Sequence, residues 1–175
     1  MIFSELKAMR GANSQVRLEA NVEIYTFAAS EIRSYDDYKK LTKNELEGHL
    51  HFKGKNLVLN GGLNFIKDLL TAATTGSVTH NGVGSSSQAV VPGDTDLITA
   101  IGSRLAITNR YSGGTGIGKF DTFYASSDNN GTWRETIIAT ASTGANAFAR
   151  KVITDFVKAT TNTAVVSWTI TKTAV

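Results

Sequence analysis

Along this chain, apolar and polar residues alternate far more often than they recur at helical spacing. In Gln15–Phe27, QVRLEANVEIYTF, the residues Val16, Leu18, Ala20, Val22 and Ile24 alternate with Arg17, Glu19, Asn21 and Glu23. A period of two with one charged face predicts a strand lying half-buried on a sheet. In Thr163–Lys172, Ala164, Val166, Trp168 and Ile170 fall on one face, and Val165, Ser167, Thr169 and Thr171 on the other. Weaker alternation predicts strands over Gly48–Asn60 (interrupted at Gly54), Ser77–Gly84, Arg104–Arg110, Phe120–Ser126, Trp133–Ala141 and Phe148–Val157.

The period changes clearly once. Leu63, Ile66, Leu70 and Ala73 recur at i, i+3, i+7 and i+10, with Phe65 and Leu69 beside them. That spacing predicts a helix near residues 62–74, capped by Asn60 or Asn64 and ended at Gly76. The β-structure is expected to close around it as around a plug. In residues 28–47, Ser34 with Asp37 resembles a cap, and Tyr35, Tyr38 and Leu41 share a face. They predict a short helix or ordered connection, with a solvated linker as the alternative. Leu97–Gly102 is read as one helical turn. Asp128-Asn129-Asn130-Gly131 reads as a hairpin turn, since Asn-Gly supplies positive φ. The C-terminal third then reads as an antiparallel meander whose last pair is Phe148–Val157 with Thr163–Lys172. The fold class expected is mainly β, a β-sandwich of roughly eight or nine mostly antiparallel strands with one packed α-helix. Residues 1–14 form an N-terminal arm, and 15–175 a single domain. Ile2, Phe3, Leu6 and Met9 give the arm an apolar side before Gly11–Ser14 breaks it. It reads either as a loose terminus or as a segment that docks on a neighbouring subunit.

Composition narrows the function classes. The 175 residues are 41% hydrophobic and 19% charged, which fits a folded domain and argues against global disorder. The formal charge of +3 is spread among acids and bases, so no nucleic-acid footprint is expected. Cys is absent, which excludes disulfides, thiolate metal sites and a Cys nucleophile. No apolar run approaches the roughly 20 residues of a membrane span, and MIFSELKAMRG lacks a signal-peptide core. Neither membrane insertion nor secretion is expected.

Candidate chemistry is sparse. Gly113–Lys119, GGTGIGK, has P-loop spacing as far as its Lys, but Phe120 stands where Ser or Thr would bind magnesium, and a strand follows. It is read as a glycine loop between strands. His49 and His51 share a strand face and could bind metal with His80, yet nothing in the sequence brings His80 near, and Lys53 and Lys55 would repel a cation. Asp94 and Asp96 lack the further ligands of a calcium loop and are read as an Asx turn or cap. Tyr111, Phe120, Phe123, Tyr124 and Trp133 flank loops that could bind sugars or bases, and most are read as core. No catalytic, cofactor-binding or metal residue is assigned, and no cofactor or small-molecule substrate is expected.

Several segments taken in order resemble the structural proteins of tailed viruses. They are Asn56-Leu57-Val58-Leu59-Asn60-Gly61-Gly62-Leu63-Asn64, Gly82-Val83-Gly84, Asp94-Thr95-Asp96-Leu97 with Arg104, Asn130–Glu135, and Val166–Thr171. Thr136–Ala139 and the length of residues 28–47 depart from that pattern. The resemblance covers residues 15–172 and implies a non-enzymatic subunit of the tail, collar or baseplate. Such a subunit is made in the host cytoplasm and resides in the virion. Its partners would be other virion proteins and its own copies. A head-decoration protein or a carbohydrate-binding module is the alternative.

Overall fold

The computed structural model describes residues 16–174, so the arm expected over 1–14 lies outside the described residues. Nine strands and three helices are found among them. The strands are β1 (Val16–Ala28), β2 (Leu50–Val58), β3 (His80–Gly84), β4 (Leu105–Ala106), β5 (Asn109–Gly114), β6 (Ile117–Tyr124), β7 (Gly131–Ala139), β8 (Ala147–Lys158) and β9 (Asn162–Ala174). The helices are α1 (Tyr35–Tyr38), α2 (Lys43–Gly48) and α3 (Asn60–Leu70).

The mainly β class is as expected, but the strands run in one hydrogen-bonded order, β4-β3-β7-β8-β2-β1-β9-β6-β5, and every pairing is antiparallel. In place of two separate sheets there is one sheet curled into a half-barrel. The reason lies in β2. Its first part pairs with β1, and at Leu57–Val58 it leaves β1 and pairs with Arg150 and Ala149 of β8. One strand therefore turns the corner between the two halves.

The expected strand Arg104–Arg110 also bends. Leu105 and Ala106 pair with β3, while Asn109 onward pairs with β6. Between them, the Ile107 amide donates to the Thr79 carbonyl and the Thr108 amide to the Asp121 carbonyl, both at 2.8 Å. These two residues join opposite margins of the curled sheet.

The C-terminal meander is corrected. The segments Phe148–Val157 and Thr163–Lys172 do not pair with each other. β8 pairs with β7 and β2, and β9 lies between β1 and β6. The β1–β9 ladder runs without a break from Val16↔Ala174 to Ala28↔Asn162. Both strands carry long alternating patterns, and matching them buries two apolar faces at once. The Asp128–Gly131 turn likewise joins β6 to β7 across the two halves and closes no hairpin. Positive φ falls at Asn129 and Gly131. Two side chains fix this loop. Trp133 Nε1 donates to the Asn129 carbonyl at 2.7 Å, and Lys158 Nζ donates to the Ala125 and Ser126 carbonyls and to Asn130 Oδ1.

The concave face holds the main core. Ala20, Val22 and Ile24 of β1 meet Ala164, Val166 and Trp168 of β9, with Tyr124, Trp133 and Phe156 closing the far side. Trp133 stacks edge-on against Tyr124 and Phe156, with centroids 4.8 and 5.1 Å apart. Each large apolar side chain buried there stabilises the fold by about 1.5–3 kcal/mol. The convex face carries a second cluster, in which Phe27 and Val165 are covered by Ile32 and Tyr38 from the insertion between β1 and β2. Ser34 caps α1, and a Thr42–Glu45 capping box starts α2. Residues 97–102 form bends and a bridge from Ala100 to Gly84, not the helical turn expected.

α3 exists but is not a plug. It starts at Asn60 with Leu59 at its cap position and no side-chain cap, and it ends at Thr71, before Gly76. Only Gly62 is buried, and Phe65 and Ile66 are half-buried. Gly61 and Gly62 belong to its first turn. A methyl on Gly62 would lie 2.4 Å from the Phe148 carbonyl oxygen, so these glycines set how closely α3 meets β8. The helix packs on β8 and, through Phe65 and Ile66, on the edge of the main core, like a flap.

Candidate functional site

The flap leaves an apolar trough. On one side of α3 a groove of about 320 Å³ is walled by Phe65, Ile66 and Leu69, with Leu18, Phe120 and Ile170 opposite. On the other side a more polar cavity of about 390 Å³ lies between Leu63 and Leu18, Ala20, Asn56 and Val58, and is lined as well by Arg17, Glu19 and Lys55. Leu18 of β1 lines both. Local sequence explains the opening. Gly116 and Gly118 offer no side chain to fill the β6 end of the groove. Around the trough, Leu57, Leu63, Leu69 and Leu70 are 41%, 47%, 39% and 83% exposed. Exposed apolar surface is gathered here and not scattered singly.

Asn56 stands out inside the trough. Its Oδ1 and Nδ2 are both buried and have no hydrogen-bond partner among the described residues. Such a group costs free energy unless something completes it.

The residues singled out in the sequence are not brought together. His49 Nδ1 lies 3.1 Å from the Thr26 carbonyl, and His51 stacks on Phe156 at 4.8 Å. His80 sits in β3, in the other half of the sheet, with Nδ1 2.8 Å from Thr79 Oγ1. Burial, then the charges of Arg104 and Arg110, holds His80 below its ordinary value, and the same positive field repels a metal ion. Among the described residues no three His, Asp or Glu side chains gather as a metal site.

Asp94 and Asp96 serve as anchors. Asp94 Oδ2 accepts from the Val91 amide and from Arg150 at 2.8 Å. Asp96 Oδ1 accepts from the Leu97 amide and pairs with Arg104. Gly113–Lys119 spans the β5–β6 hairpin, and Gly114 and Gly116 have positive φ. No helix follows to receive a phosphate. Tyr124 and Trp133 are buried core, Phe123 packs on the convex cluster, Phe120 lines the trough, and Tyr111 is exposed.

Two polar assemblies escaped the sequence reading. The first is a buried ionic knot: Glu135 accepts from Arg150 Nε at 2.7 Å and from the Ile98 and Thr99 amides. Arg150 also donates to the Gln88 carbonyl. The knot ties the long loop 85–104 onto β7 and β8. The second lies on the convex face, where Asp121 accepts from Tyr35 Oη and Ser167 Oγ, each at 2.6 Å. Burial, then the Asp121 carboxylate, pushes the Tyr111 phenol up to about 12. Asp121 clamps α1 onto the sheet. The partners in both assemblies are far apart in sequence, so spacing carried no sign of them. A Thr-x-x-Glu pattern at 42–45 would have located α2.

No family model, curated protein or solved structure matches this chain. No helix of the described residues is long and apolar enough to cross a membrane.

Proposed function

We propose that this chain is a non-enzymatic structural subunit of a tailed-virus particle. It assembles as a homo-oligomer through protein–protein contacts in the tail, collar or baseplate. One observation carries this reading: the groove beside α3, walled by Leu18, Phe65, Ile66, Leu69, Phe120 and Ile170 and flanked by exposed leucines, is a predominantly apolar surface. Assembly surfaces have this chemistry, because their core excludes water and carries few charges. The sequence resemblance over residues 15–172 supports the viral setting. At the level of fold, we read the curled sheet as an opened sandwich. Its halves β5-β6-β9-β1 and β8-β7-β3-β4 face one another across a shared core, with β2 at the corner.

Mass photometry of the purified full chain tests the reading. A discrete closed oligomer is expected at micromolar concentration. A strict monomer that is retained on a glycan array would overturn it in favour of a carbohydrate-binding module.

A further inference from the structure

We propose that the trough beside α3 receives the N-terminal segment Ile2–Met9 of a neighbouring copy of this chain. The inference rests on the assembly reading above and names the partner of that surface. Three features carry it.

The first is chemical fit. Ile2, Phe3, Leu6 and Met9 fall on one face at helical spacing, with Ser4 and Ala8 opposite and Arg10 at its C-terminal end. The trough offers Leu18, Phe65, Ile66, Leu69, Phe120 and Ile170 to such a face.

The second is Asn56. A side-chain amide presents one acceptor and a donor group side by side, as does a peptide group. Asn56 lines its cavity together with Leu18, Leu63 and the charged Arg17, Glu19 and Lys55, and both its side-chain polar atoms are buried and unpartnered among the described residues. A polypeptide seated there can complete both once the side chains covering Asn56 shift aside, whereas a purely hydrocarbon occupant completes neither.

The third is where the chain leaves the structure. Val16 pairs with Ala174 at the end of the β1–β9 ladder, and Leu18, two residues on, lines both cavities. The chain therefore enters β1 at the rim of the trough. Between Met9 and Val16 stand Arg10–Gln15, all polar or small. Extended, they span about 20 Å. A return to the chain's own trough, which begins beside Leu18, needs only a tight turn. A spacer of this reach suits passage to the next copy. Repeated head to tail, such a contact closes a ring.

The chain has no cysteine, so engineered pairs report cleanly. In full-length protein carrying Leu6→Cys and Leu69→Cys, mild oxidation is expected to give disulfide-linked multimers on a non-reducing gel. A cross-linked monomer instead would overturn the proposal, because it places the segment on its own trough. Full-length Leu6→Asp is expected to lose assembly with unchanged circular dichroism and thermal midpoint. A synthetic peptide of residues 1–12 should bind that variant, and adding Asn56→Leu to it should weaken binding about tenfold. If Leu6→Asp still assembles like the wild type, the proposal fails while the assembly reading stands. If the wild type is itself monomeric, both fail.

Discussion

Glu135 is buried with its charge, and its surroundings set what its removal costs. It meets Arg150 and two loop amides with no exposure to water. Glu135→Ala leaves the Arg150 cation with Asp94 alone and is expected to destabilise the protein by about 3–5 kcal/mol in urea titrations. Glu135→Leu combined with Arg150→Met should recover most of that loss, because no unpaired charge remains. The two tryptophans make a second comparison. Trp133 Nε1 donates to Asn129, whereas Trp168 Nε1 is buried without a partner among the described residues. Trp133→Phe should therefore cost about 1 kcal/mol more than Trp168→Phe. Equal costs would show that the Asn129 bond contributes nothing net. Glu23 gives a pH test. Burial alone would raise its carboxyl, but hydrogen bonds from Lys53 and Tyr25, with the Lys53 charge, outweigh burial and hold it below the ordinary 4.5. The folded state thus binds the proton less readily than the unfolded chain. The stabilisation is present above pH 4.5 and is lost as pH falls through the lower folded value. The stability gap between wild type and Glu23→Gln should be constant near neutrality and shrink below about pH 4.5.

Among the elements, alternation in the sequence located the strands well, because each has one wet and one dry face. Val16–Ala28 and Asn162–Ala174 were expected almost to the residue. Their partners were not legible. An alternating pattern says which face is buried and nothing about which strand lies alongside, so β8 and β9 were paired wrongly. α3 was legible in its period and misread in its placement. Its leucine stripe looks like a core-facing surface, yet most of that stripe faces the solvent or the trough. The periodicity starts the helix near Gly62 and leaves Asn60 and Gly61 ahead of it. In the fold those glycines start the helix and let it approach the β8 carbonyls. Gly62→Ala should accordingly cost at least about 1–3 kcal/mol by overpacking. Gly93→Ala, with open space around it, should fall within about 0.5 kcal/mol of wild type. Thermal melts of the two variants decide the point. Nothing in the spacing revealed the trough, because an unfilled space is defined by residues that several elements withhold.

For the molecule as a whole, the curled sheet brings its margins together through the backbone of Ile107 and Thr108 and through Tyr124 Oη, which donates to Asn81 Oδ1 at 2.6 Å. Each half depends on the other for its share of one core, so unfolding should be a single cooperative transition. Tryptophan fluorescence and far-UV circular dichroism should give coincident urea curves, and separated midpoints would show that the halves melt independently.

The pairing of β1 with β9 also has a consequence for how the chain comes to be folded. The strand at the start of the described chain has its longest ladder with the strand at its end, and nearly every residue between them is made before that ladder can zip. During synthesis β1 has to wait, with the edge meant for β9 unpaired, until β9 leaves the ribosome. Contacts this distant in sequence place refolding on the millisecond-to-second scale of high-contact-order β proteins. While it waits, the unpaired edge of β1 is prone to pair with the wrong partner.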